Sequence, residues 1–261
     1  FGMYRFDAAL AGATSIRVPR RSDFRLDVAA VEQTVLAAPP SSPRPKLLFV
    51  ASPNNPDGGC LDQESLLRLL ALPIMVVLDE AYIEFAGREL SAATMVTRHE
   101  NLIVLRTLSK WAGLAGLRVG FGVFPNWLLP MLWRCKQPYG VSAAAMVGGL
   151  TALEHREAIQ PSIDAIVSER ERLQGELNEL EFLRTYPSRS NFVLCEVNGM
   201  QAWSLRAKLA ARGILVRHYA DPGMERYIRI SAGRPEQTDA LLSALQSIEL
   251  EVVASDRREP Q

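Results

Sequence analysis

The chain has 261 residues, 48% of them apolar, and its 29 basic side chains balance 29 acidic ones. That length accommodates two domains or one large one, with apolar residues enough for a sizeable core. Zero net charge speaks against a nucleic acid or an anionic membrane held by bulk charge, and no apolar run reaches the roughly 18 residues of a membrane-spanning helix. Cys60, Cys135 and Cys195 stand apart, as do His99, His155 and His218, so free thiols in a reducing compartment and no metal site are expected.

The opening "FGMYRFDAALAGATSIRVP" reads as the middle of a domain, with "TSIRVP" (residues 14–19) as a short strand. Residues 27–36 have helical spacing of apolar positions. "APPSSPRP" (38–45) is a surface loop, because strand signals resume at once in "KLLFVA" (46–51). The helix "LDQESLLRLLAL" follows, then the buried strands "IMVVLD" (74–79) and "NLIVLR" (101–106), and a further strand in "LRVGFGVF" (117–124). Apolar strands that do not alternate, separated by helices, indicate a mostly parallel sheet covered on both faces. Residues 142–180 are nearly all helix-compatible, with an interruption expected at Pro161. Beyond them come the strand "NFVLCEV", the helix "MQAWSLRAKLAARG", the strands "ILVRHY" and "RYIRIS", and the helix "RPEQTDALLSALQSI" with Pro235 in its first turn. The expected division is a large α/β domain over 1–141, a connecting helical region over 142–180 and a small α+β domain over 181–261.

Polar clusters sit where the buried strands end: "SPNNP" after the first, "DEAY" after the second and "TLSK" after the third. That edge of an open α/β sheet is where ligands bind. A lysine amine at a strand end can form a Schiff base with an aldehyde cofactor and, once displaced, serve as a base; Lys110 fits both tasks. Asp79 is the carboxylate that could keep a pyridine nitrogen protonated. A phosphate needs hydroxyls, a cation and amides, part of which Thr107, Ser109 and Arg118 could supply. Taken singly, each residue has a plainer reading. Asp79 could cap a helix, Tyr82 pack, Asn55 make a turn, Lys110 stand in solvent, Arg118 pair with any carboxylate, and Arg217 and Arg229 form surface ion pairs. The glycines 113, 116, 120 and 122 lack the spacing of a dinucleotide fingerprint.

The motifs in order are N-P-x-G at Asn55, D-x-x-Y at Asp79 and Tyr82, serine–lysine at Ser109 and Lys110 with Arg118 eight residues on, and R-I-S-x-G at Arg229. This series resembles the fold-type I pyridoxal-phosphate aminotransferases over essentially the whole chain. The strings "SPNNPDGG", "DEAYIEF", "RTLSKWAGLAGLRVGF" and "RCKQPYGVS" are most similar to the histidinol-phosphate aminotransferase group. The resemblance implies pyridoxal 5'-phosphate as cofactor and transamination between histidinol phosphate and 2-oxoglutarate or glutamate, a step of histidine biosynthesis. It implies Lys110, Asp79 and Tyr82 as catalytic residues, and Asn55, Thr107, Ser109, Arg118 and Phe1 as further cofactor contacts. Tyr82 and Asn55 would serve the cofactor's phenolic oxygen, and Phe1 falls where the family has a tyrosine stacked on the pyridine ring. Arg229 would take the anion of either substrate, its planar fork suiting carboxylate and phosphate alike, with Arg217 as a second ligand for phosphate. A homodimeric full-length protein in the cytoplasm is implied, with organellar targeting left open.

The family's chains extend upstream of Phe1 by roughly a hundred residues, about a small domain. A fold-type I large domain incomplete at its N-terminal part is therefore expected, lacking part of its sheet, its phosphate cup and its dimer interface. Gly140 stands where related sequences often carry asparagine. Two other readings are open: another fold-type I enzyme, whether a different aminotransferase or a phosphothreonine decarboxylase-like one, and an inert chain that acts by associating with a full-length partner.

Overall fold

A computed structural model describes residues 2–37 and 44–256, with backbone alone for 251–256. Phe1 and residues 38–43 of the expected surface loop lie outside the described residues. The chain divides into two compact units, one of residues 1–55 and 59–159, the other of residues 56–58 and 160–261.

In the first unit, helices α1 (Gly2–Leu10) and α2 (Val28–Leu36) precede strand β1 (Leu47–Ala51). Helix α3 (Gln63–Leu70) leads to β2 (Met75–Asp79), β3 (Leu102–Thr107) and β4 (Gly120–Val123), with helices α4 (Leu129–Cys135) and α5 (Ala143–Glu154) after them. The four strands lie in the order β1-β2-β3-β4. The first two pairings are parallel and β4 runs antiparallel to β3. Val76, Val77 and Leu78 of β2 and Leu102, Ile103 and Val104 of β3 are all buried, as unbroken apolar runs in the middle of a covered sheet should be.

Two capped helices close one core. Asp27 accepts from Ala30 N at 3.0 Å and Asp62 from Ser65 N at 2.7 Å, satisfying first-turn amides that a helix leaves free. Val28, Val31 and Val35 of α2 then meet Leu66, Leu69 and Leu70 of α3 over Val50, Val76 and Val104. Each fully buried aliphatic side chain there is worth about 1.5–3 kcal/mol. Asn101 ties β3 to the α3–β2 connection, its amide donating to the carbonyls of Leu70 at 2.9 Å and Ile74 at 3.1 Å. Among the described residues β1 and β4 are edge strands, and Leu47, Phe49 and Phe121 on them are exposed.

The second unit takes in α6 (Arg156–Asn178) from Gln160 onward, β5 (Leu183–Tyr186), β6 (Phe192–Val197), α7 (Ala202–Ala210), β7 (Arg217–His218), β8 (Tyr227–Ser231) and α8 (Pro235–Asp256). Its sheet is antiparallel, in the order β5-β6-β8-β7. Alternation along β6 and β8 sends Val193, Cys195, Ile228 and Ile230 into a core with Leu173, Leu177, Leu205 and Leu245. Burial pushes the Cys195 thiol up to about 12, which makes it an inert core residue.

The expected α/β sheet followed by an α+β portion is what folds, with four local differences. Residues 14–19 form no strand, since no partner strand lies beside them among the described residues. The long helical region breaks at His155, whereas Pro161 lies inside α6. Pro161 falls in the second turn and forfeits a single intrahelical bond, a loss the helix absorbs. "ILVRHY" contributes only the two residues of β7, and α1, α4 and β5 had no clear periodic signal.

The β3–β4 register places Gly120 opposite Thr107, and a Cβ on residue 120 would lie 2.5 Å from the Arg106 carbonyl oxygen. That oxygen belongs to the ladder and cannot move aside. Gly120→Ala is expected to lower stability by about 1–3 kcal/mol in urea unfolding; an unchanged midpoint would show that the two strands can separate freely.

Candidate active site

Parallel pairing in register brings Ala51, Asp79 and Leu105 side by side, so the carboxyl ends of β1, β2 and β3 share one edge of the sheet. Because β4 is antiparallel and starts opposite Thr107, the segment entering it reaches the same edge. Seven of the sequence-predicted residues are gathered there: Asn55, Asp79, Tyr82, Thr107, Ser109, Lys110 and Arg118.

Asp79 is the last residue of β2 and is half-buried. Its Oδ1 accepts from Ala81 N at 3.0 Å and its Oδ2 from the Tyr4 hydroxyl at 2.5 Å. The Tyr4 ring stacks on Phe49 of β1, with centroids 5.1 Å apart. Burial, and then the negative charge of Asp79, push the Tyr4 phenol well above its usual range, so the hydroxyl stays protonated and donates. Sequence reasoning missed Tyr4: the only signal was one tyrosine in a short helix, and its partner lies 75 residues further on.

Lys110 stands on a turn anchored from both sides, with Leu108 and Trp111 buried. Leu108 N donates to the Val119 carbonyl and Leu114 N to the Leu108 carbonyl, both at 3.2 Å. Lys110 itself is exposed, its Nζ 5.5 Å from the centre of the Tyr82 ring, and among the described residues that amine makes no hydrogen bond or ion pair. Thr107 Oγ1 accepts from Ser109 N at 3.1 Å, which fixes the two hydroxyl-bearing residues beside each other. Arg118 adopts a left-handed conformation, φ 54°. Its guanidinium donates to the Ala115 carbonyl at 3.2 Å and has no carboxylate partner among the described residues. Asn55 lies half-buried in the loop leaving β1, which is closed by Leu61 N donating to Ser52 Oγ at 3.0 Å.

Directly behind this edge lies a buried ionic cluster that the sequence reading did not single out. Glu80, next to Asp79, is 0% exposed. It accepts from Ala92 N at 2.6 Å, from the Ser91 hydroxyl at 2.8 Å and from Arg106 Nε at 2.8 Å. Arg106 Nη1 reaches Glu84 Oε1 at 2.6 Å. Burial pushes both carboxyls above their usual range, and Arg106 opposes that shift in each.

The two remaining arginines belong to the second unit. Arg217 and Arg229 are directly paired across β7 and β8, so their side chains leave the same face of that sheet. It is the face opposite Ile228 and Ile230, which point into the core. The Arg229 guanidinium lies 4.6 Å over the Phe192 ring and that of Arg217 5.7 Å over the Tyr219 ring. Phe1 lies outside the described residues.

The sequence matches the family described as aminotransferase class I and II over residues 1–245. It is 51% identical over 246 residues to the chloroplastic histidinol-phosphate aminotransferase of Nicotiana plumbaginifolia, covering 94% of this chain and 58% of that protein. A histidinol-phosphate aminotransferase of Roseiflexus castenholzii is 45% identical over 251 residues, covering 95% of this chain and 66% of the relative. Among solved structures, histidinol-phosphate aminotransferase from Sinorhizobium meliloti in complex with pyridoxal-5'-phosphate superposes with a TM-score of 0.83. It shares 27% identity, over 97% of this chain and 68% of that one. The chain thus spans a little over half the length of the Nicotiana relative. Among the described residues no helix is long and apolar enough to cross a membrane.

Removing Arg106 would take from the buried Glu80 and Glu84 the guanidinium that both bond to. Arg106→Met is expected to cost about 3–5 kcal/mol at neutral pH. Both acids bind protons more readily in the folded chain than in the unfolded one. Without Arg106 both values rise further, so the penalty is full above those higher values and shrinks as pH falls through them, being largely gone in the ordinary carboxylate range. Chemical unfolding at about pH 7 and about pH 4.5 checks this; an equal loss at both would mean that the cluster is not ionised in the native chain.

Proposed function

The chain belongs to the class I and II aminotransferase family, and we propose that its protein is a pyridoxal-phosphate-dependent transaminase exchanging an amino group between histidinol phosphate and 2-oxoglutarate. The observation that carries this reading is the presence, at one edge of a parallel sheet, of a lysine amine without hydrogen bond or ion pair among the described residues, Lys110, and of a fixed carboxylate, Asp79.

The residues fit the cofactor in charge and chemistry. Lys110 would hold it through its amine, with the Tyr82 ring beneath that amine. Thr107, Ser109 and Arg118 offer two hydroxyls and a guanidinium with free donors to its phosphate. Asn55 and the Tyr82 hydroxyl are the candidate donors to its phenolic oxygen. Pyridoxal phosphate, when bound, supplies an aldehyde and a pyridinium ring able to take up an electron pair. Asp79 would keep the proton on the ring nitrogen. Lys110, once its amine is free, would be the base that takes the proton from the amine-bearing carbon of the substrate and the acid that gives it back on the other side of the shared nitrogen.

On the second unit, Arg217 and Arg229 stand opposite each other on one face of the sheet and are the candidate ligands for the substrate's anion. Histidinol phosphate brings a phosphate and glutamate a carboxylate, so one guanidinium fork serving both would allow the two half-reactions to share a site. A homodimer is part of the same reading. It is supported by α5, whose Met146, Val147, Leu150 and Leu153 are exposed in a single chain.

In the full-length protein, Asp79→Asn is expected to keep the fold and lower turnover by orders of magnitude, since an amide cannot hold the ring nitrogen protonated. Near-normal turnover would reduce Asp79 to a turn residue. Single-turnover half-reactions separate the arginines. Arg229→Lys should slow both donors by about ten- to a hundredfold in kcat/KM, the loss of one hydrogen bond to a charged group. Arg217→Ala should slow histidinol phosphate far more than glutamate. Equal losses for both donors in Arg217→Ala would remove phosphate from the role assigned to it.

A further inference from the structure

Three elements converge on one hydroxyl. Tyr4 comes from α1, its ring lies on Phe49 of β1 at an interplanar angle of 26°, and its oxygen sits 2.5 Å from Asp79 Oδ2 at the end of β2. Among the described residues the Asp79 carboxylate accepts this hydrogen bond and the one from Ala81 N. A carboxylate has about four lone-pair sites, so two remain for a ligand. The backbone bond alone holds a single oxygen and leaves the carboxylate plane free to turn. A second donor on the other oxygen fixes that plane.

We propose that Tyr4 is the positioning residue for Asp79: stacked on Phe49, it donates its hydroxyl to Oδ2 and so aims the remaining lone pairs of the carboxylate at the protonated ring nitrogen of the cofactor. This rests on the reading of Asp79 given above and adds a residue that acts only through it. Tyr4 supplies no charge and moves no proton. A neutral donor suits this task, because a cation in its place would neutralise Asp79 and weaken its hold on a pyridinium. Stacking against Phe49 restricts the ring, so the hydroxyl arrives already oriented and little side-chain entropy is lost in holding the bond.

The test compares two ligands on the full-length protein: pyridoxal phosphate, and its 1-deaza analogue, in which a C–H replaces the ring nitrogen. Tyr4→Phe keeps the ring and its stacking and removes only the hydroxyl. Equilibrium dialysis is expected to show pyridoxal phosphate bound about tenfold more weakly by Tyr4→Phe, the loss of one charge-assisted hydrogen bond, and the deaza analogue bound within about twofold of the unmodified protein. In an Asp79→Asn background the Tyr4→Phe change should add nothing, because the group through which it acts is already disabled. Equal weakening of both ligands, or weakening that persists in the Asp79→Asn background, would make Tyr4 a packing residue and overturn the proposal. So would unchanged binding of pyridoxal phosphate. An unmodified protein that binds neither ligand would instead overturn the cofactor reading, and this proposal with it.

Discussion

Arg106 is the side chain on which the geometry of the site depends. It reaches from the end of β3 to Glu80, the residue after Asp79, and on to Glu84. A carboxylate with no exposed surface is costly to ionise, and removing one partner of such a cluster costs far more than an exposed pair contributes. The clamp therefore locks the ends of β2 and β3 to each other. Asp79 sits one residue before the buried glutamate, and Thr107 one residue after the arginine. The same interaction thus braces the carboxylate against the hydroxyl-bearing turn that carries Lys110. The clamp adds to the backbone ladder that already pairs Asp79 with Leu105, and it is tied to the hydrophobic cluster under α2 and α3 through Ala92, whose N donates to Glu80.

Much of this was legible in the sequence for a physical reason. Strands buried on both faces must be continuously apolar, so "IMVVLD" and "NLIVLR" could be read without knowing their neighbours. Polar residues that follow such runs can only lie at the sheet's edge, and the carboxyl edge is the one that binds ligands. Asp79, Tyr82, Thr107, Ser109 and Lys110 followed from that rule and the order of the motifs. Their gathering at one edge is now a matter of register between β1, β2 and β3.

What was not legible depends on contacts distant in sequence. Tyr4 and Asp79 are joined by a hydroxyl that no periodicity announces. The role of Glu80 was hidden because an acidic residue after a strand looks like any turn residue until its burial is seen. Residues 14–19 carry β-branched and apolar side chains, yet a strand exists only by pairing, and strand propensity does not supply the partner. Pro161 misled in the opposite direction: a local rule about helix interiors yielded to a helix long enough to absorb the missing bond.

In the proposed function one lysine, held at the end of β3 above Tyr82, carries the cofactor. The chain has four lysines, at 46, 110, 136 and 208, so the claim can be checked by site. The full-length protein is loaded with pyridoxal phosphate, reduced with borohydride, digested, and its labelled peptides are sequenced by mass spectrometry. The expected result is a single label on Lys110. A label on Lys46, Lys136 or Lys208 with Lys110 unmodified, or no label at all, would contradict it.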